Sequence, residues 1–135
     1  MRPDRVWAPP PIWVPPTGHS LRKVGVFFDA VRVPLPLGED IAARLIAAAK
    51  GDQGPIIRDR NRWMYFLIAP GSAEAHTWPA GVTCLTSRTG RTQDAYIGIP
   101  GLYGETWPLH WRRPPVGERL VDGARLAGIL RTSPT

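Results

Sequence analysis

Two short stretches carry side chains able to hold phosphate. Arg58-Asp59-Arg60-Asn61-Arg62 sets arginines at alternate positions, which share one face if the segment is extended. Ser87-Arg88-Thr89-Gly90-Arg91-Thr92 places two more among hydroxyls and a glycine, the composition of an anion-binding nest. Arginine makes bidentate contacts to phosphate and stacks on rings, so DNA or a nucleotide is an admissible partner. A solvated hairpin tip accounts for the same residues without any ligand. Trp63 and Tyr65 stand beside the first stretch, and Tyr96, Trp107 and Trp111 follow later. Such rings form a stacking platform for bases when exposed and a core when buried.

Other chemistries lack their residues. His19, His76 and His110 are dispersed, no two ligand types recur at helical spacing, and there is no cysteine pair, so no metal site is expected. Neither a nucleophile elbow nor a glycine-rich phosphate loop is present, and no cofactor is implied. Asp29 has no acidic neighbour within three residues, and Asp59 stands among arginines, where an ion pair is the expected role. Cys84 lies in Val82-Thr83-Cys84-Leu85 and is expected to serve as a small buried hydrophobe.

The elements that position these residues follow from pattern. Val24 to Pro34 is an apolar run carrying Asp29 and Arg32, expected to form one buried strand that emerges towards solvent near an edge or cleft. Gly38-Glu39-Asp40 opens a helix with acids in its first turn, and Ile41, Leu45, Ile46 and Ala49 give it one apolar face. Lys50 and Gly51 end it. Pro55 to Arg58 and Trp63 to Ile68 are strands joined at Asp59-Arg60-Asn61, the second central and covered on both sides. Ser72 to Trp78 makes a helical turn with Ser72 as its cap, followed by strands at Val82–Leu85, Ala95–Ile99 and Thr106–Trp111. Pro108 confines the last of these to an edge or a bulge. Leu120 to Leu130 closes the chain as a helix weakened by Gly123 and Gly128.

The chain has 135 residues and a formal charge of +6, with Lys23 and Lys50 its only lysines. One core is expected, with no membrane span or signal peptide, and the single cysteine favours the cytoplasm. Residues 1–22 form a proline-rich arm unable to enter a sheet interior. Its Trp7 and Trp13 either pack on their own domain or anchor a protein partner or a second copy of the chain.

The order of motifs resembles that of the small actinobacterial bifunctional DNA primase/polymerase-type (prim-pol) proteins, a reduced archaeo-eukaryotic primase-type domain. The matching pieces are Phe28-Asp29-Ala30-Val31-Arg32-Val33-Pro34, Gly54-Pro55-Ile56-Ile57, Tyr65-Phe66-Leu67, Ala69-Pro70-Gly71, Trp78, Tyr96 to Pro100, Trp107 to Pro114 and Leu120-Val121-Asp122. The resemblance implies an acid pair on the first strand, and Asp29 fits its first member. Arg32 stands where a second acid is expected, which reverses the charge a second magnesium ion needs.

The resulting expectation is an α+β domain over residues 23–131 with a tail at 132–135: a mostly antiparallel sheet with two main helices, preceded by the arm. Its expected role is that of a non-catalytic accessory or regulatory protein binding DNA, a nucleotide or a protein partner. Phosphate would be held by Arg32, Arg58, Arg60, Arg62, Arg88 and Arg91, with Trp63 and Tyr65 stacking and Asp29 orienting a guanidinium. The alternatives are an interaction module docking through the arm and a weakly active primase/polymerase.

Overall fold

Trp63–Ile68 is the strand around which the sheet is built. The computed structural model describes residues 9–48, 54–86 and 95–132. In chain order the strands are β1 (His19–Lys23), β2 (Asp29–Pro34), β3 (Ile56–Asp59), β4 (Trp63–Ile68), β5 (Thr83–Leu85), β6 (Tyr96–Pro100) and β7 (Leu109–Arg113). The helices are α1 (Leu37–Ala48) and α2 (Gly123–Thr132), and a 3-10 turn spans Ser72–Ala75. Five strands form one sheet in the order β5-β2-β4-β3-β7, and β1 pairs with β6 in a separate two-stranded ribbon. Every pairing between these strands is antiparallel. The fold is therefore α+β, a mostly antiparallel sheet with two helices, as the pattern predicts.

Both faces of the five-stranded sheet are covered, which explains why β4 is apolar at nearly every position. On one side Val31, Val33, Met64, Phe66 and Ile68 meet Ile41, Leu45, Leu126 and Leu130 of the helices. Gly38 lets α1 approach closely, because a Cβ there would collide with the Met64 side chain. On the other side Ala30, Ile57 and Leu67 pack under Ile97 and Ile99 of the ribbon, together with Phe28 and Trp13.

Several expectations are corrected. The apolar run from Val24 is not one strand: Val24 to Val26 form a turn, Gly25 adopts a φ of 90°, and its N–H donates to the Phe28 carbonyl. A left-handed residue at that point favours glycine and interrupts the extended chain. The polar stretch His19–Lys23, four of whose residues fall within the expected arm, is a strand. The closing helix starts at Gly123, not at Leu120, because the Asp122 carboxylate accepts from the N–H groups of Ala124 and Arg125 and caps it. Thr106 and Trp107 precede β7, which is an edge strand. The end of α1 around Lys50 and Gly51 lies outside the described residues.

Trp13 is the clearest case of sequence ambiguity resolved by packing. Its ring is 3 % exposed and meets Phe28 edge-on at 5.0 Å and Trp111 at 6.4 Å. Its carbonyl accepts from Arg22 Nε at 3.0 Å, which fastens the arm to β1. Trp13 is thus a core residue of its own domain and not an exposed docking anchor. Trp7 lies outside the described residues. Trp13→Ala is expected to lower unfolding free energy by about 3 kcal/mol, the usual loss for an aromatic residue truncated in a core; urea denaturation measures it.

Candidate functional site

Strand β2 distributes its side chains alternately between the two sides of the sheet. Asp29, Val31 and Val33 face the helices, whereas Ala30 and Arg32 face the ribbon side. Burial falls along that second side: Ala30 and Leu67 are sealed, while Arg32, Tyr65 and Trp63 are only half-buried. At this more open end Arg32 pairs across strands with Tyr65 of β4 and Thr83 of β5. Its guanidinium lies 4.2 Å from the centroid of the Trp63 ring and also reaches the Tyr65 hydroxyl. Arg32 Nε is buried with no hydrogen-bond partner among the described residues.

Arg32 is thus a cation held by the face of Trp63 and the hydroxyl of Tyr65, with no carboxylate partner among the described residues. A guanidinium over indole gains about 1 kcal/mol from the ring quadrupole, more where water is excluded. Burial raises the pKa of the Tyr65 hydroxyl above its ordinary value; Arg32 and Arg62 oppose that shift and Asp59 adds to it. Tyr65 therefore stays a neutral phenol at physiological pH and can donate its proton to an anionic oxygen.

The three alternate arginines do not act as one face. Arg58 lies in β3, one residue before its end, but Arg60 and Arg62 lie in the turn, where Arg60 has a φ of 53° and Arg62 N–H donates to the Asp59 carbonyl. Strand alternation stops there, which is the reason the shared face is lost. Arg58 points to the helix side. Its Nε donates to the Arg60 carbonyl at 2.9 Å, it reaches Asn61 Oδ1 at 2.6 Å, and it lies 3.7 Å from Glu39 Oε2. Glu39 also accepts from Arg112 Nε at 2.8 Å; Arg112 sits where the pairing of β3 with β7 slips by one residue. Glu39, Arg58 and Asn61 border a depression of about 380 Å³ with Leu35 and Pro36. Arg58 is tied to structure, whereas Arg62 is exposed near Tyr65. Arg88 and Arg91 lie outside the described residues.

Asp29 does not orient a guanidinium. It is completely buried on the side opposite Arg32, and its Oδ2 accepts the Ala73 N–H at 3.1 Å. It therefore supplies from a distant strand the cap expected of Ser72, whose hydroxyl instead donates to the Ala69 carbonyl. Cys84 pairs with Val31 on that side, and burial, with Asp29 adding to it, pushes its thiol pKa up to about 12. Among the described residues no three His, Cys, Asp or Glu side chains group so as to hold a metal ion. No helix among them is long and apolar enough to cross a membrane.

Of the rings that sequence reasoning offered for a stacking platform, Trp107 is 68 % exposed and Tyr96 is exposed as well; Tyr103, which it did not single out, is 69 % exposed. The one available signal for Tyr103 and Trp107 was their setting between glycine and proline in Gly101-Leu102-Tyr103-Gly104-Glu105-Thr106-Trp107-Pro108, a turn-rich stretch. Trp111, by contrast, packs against Trp13 and donates its indole N–H to the Pro100 carbonyl, so it belongs to the core. No protein-family model matches the chain, and neither the curated proteins nor the solved structures searched give a match.

Asp29→Ala leaves the Ala73 N–H buried without its acceptor and is expected to cost about 1–3 kcal/mol of stability. Asp29→Asn keeps an acceptor and should cost less. Chemical denaturation of both variants checks the order.

Proposed function

We propose that the chain is a non-catalytic accessory protein that binds the phosphate of DNA or of a nucleotide at Arg32. The observation that carries this reading is the guanidinium 4.2 Å over Trp63, within reach of Tyr65 and with its Nε unpartnered among the described residues. A cation fixed in this way loses little side-chain entropy when it meets an anion, and its planar fork suits a phosphate. The net charge of +6 draws a polyanion towards the same molecule.

The prim-pol resemblance supports the same reading through its motif order alone. In a nucleotidyl-transfer site Asp29 would have to face a metal ion in a cleft; here its carboxylate is sealed on the helix side and bonded to a backbone amide. That placement supports a binding role over residual polymerase chemistry. The reading through the arm loses one of its two anchors with the burial of Trp13. A cytoplasmic setting belongs to the proposal, on the grounds of a single cysteine whose thiol is held protonated.

The test is a salt-titrated binding assay with the full chain and fluorescent DNA. Wild-type affinity should fall as salt rises, with a logarithmic slope of about −1 for the one phosphate engaged at Arg32. Arg32→Gln should weaken binding about 10-fold, and Arg32→Lys should not restore it, because an ammonium group lacks the planar fork. Arg58→Gln should leave affinity unchanged. Absence of binding at low salt, or equal affinity for Arg32→Gln and the wild type, would overturn the assignment.

A further inference from the structure

The turn after β3 and the loop before β7 form one continuous rim. Arg60 N–H donates to the Pro108 carbonyl at 3.1 Å, and Asp59 pairs with Trp63 on one neighbouring strand and with Leu109 on the other. Trp107 precedes Leu109 by two residues on a turn closed at three points. Its own N–H donates to Glu105 Oε1 at 2.8 Å, Thr106 Oγ1 donates to the Leu109 carbonyl at 2.6 Å, and Leu109 N–H donates to the Thr106 carbonyl at 3.0 Å. An indole 68 % exposed on so tightly closed a turn is presented to solvent by the fold.

The rim alternates cations with rings: Arg32 on Trp63, then Arg60 and Arg62 in the turn, then Trp107. Asp59 and Glu105 also lie here, Asp59 3.8 Å from Arg60, so the local excess is one positive charge. Such a surface attracts a polyanion weakly through charge and relies on ring contact for the rest. Two strand spacings separate Trp63 of β4 from Leu109 of β7, so their backbones are about 10 Å apart, and Trp107 lies two residues before Leu109 in the turn. Stacked bases repeat at about 3.4 Å, so that distance corresponds to roughly three base steps. A mononucleotide cannot span it. A duplex buries the faces of all but its terminal base pairs and offers no interior base to an exposed indole.

We propose that this rim binds single-stranded nucleic acid, with one base stacked on Trp107, a phosphate held at Arg32 and the intervening backbone against Arg60 and Arg62. This deepens the assignment of Arg32 as an anion site and rests on it. Ligand length and strandedness then decide affinity, whereas a site confined to Arg32 responds to neither.

The experiment is a competition series with the full chain against a labelled dT8: thymidine monophosphate, dT2, dT4 and dT8, a blunt DNA duplex, and a glutamate-only peptide. Affinity should rise steeply between dT2 and dT4 and then level off, with the duplex and the peptide far weaker. Trp107→Ala should reduce dT8 affinity about 10-fold, within the range of a single lost base stack, and leave thymidine monophosphate unchanged. Trp107→Phe should recover most of the loss. Equal affinity for the monophosphate and dT8, indifference to Trp107→Ala, or a duplex as tight as dT8 overturns the rim while leaving the Arg32 site standing. Failure of every nucleotide, or preference for the acidic peptide, overturns both.

Discussion

Side chains three residues apart on a β-strand point to opposite sides of the sheet, and β2 applies this constraint to Asp29 and Arg32. The carboxylate is enclosed among apolar residues beneath the helices, and the guanidinium emerges beside two aromatic rings on the other side. A carboxylate in an apolar layer must be hydrogen-bonded, and the Ala73 amide meets the requirement at Oδ2. The half-buried guanidinium has no acid beside it among the described residues and is held instead by the face of Trp63 and the hydroxyl of Tyr65.

The same economy of acids recurs around the turn between β3 and β4. Glu39, from the first turn of α1, collects both Arg58 and Arg112 and so binds the helix to two strands. The Arg58 contact at 3.7 Å is loose, and that pair is partly exposed, so its role is orientation more than stability. Its consequence is positional: the arginines that Glu39 occupies lie on the helix side, whereas Arg32 remains at the more open end of the ribbon side.

Much of the fold is legible in the residues, because its strongest signals are local. Trp63 to Ile68 is an unbroken apolar run between polar turns and lies at the sheet centre, and Ile41 and Leu45 mark the buried face of α1. What escapes such reading depends on distant pairing. His19–Lys23 is polar and becomes a strand only because Tyr96–Pro100, some 75 residues later, returns to pair with it. The site is legible by residue type but not by arrangement. Arg32, Trp63 and Tyr65 carry the right chemistry, and their meeting follows from a register in which Arg32 opposes Tyr65. The opposite placement of Asp29 and Arg32 was implicit in their odd spacing, yet it becomes decisive only where the strand is known to begin, after the turn at Gly25. The exposure of Trp107 and the burial of Trp13 had no sequence signal strong enough to separate them, since both are tryptophans next to prolines or apolar residues.

The central claim is that the cation of β2 meets ligand while its carboxylate serves the interior. Side-chain NMR of the arginine Nε–Hε groups, recorded as a short DNA single strand is added and then repeated with manganese, tests both halves at once. The account predicts that the Arg32 signal shifts on addition of DNA without metal, and that manganese leaves the amides of Asp29 and Val31 sharp. Broadening of those amides by manganese, with the Arg32 signal unmoved by DNA, would contradict it.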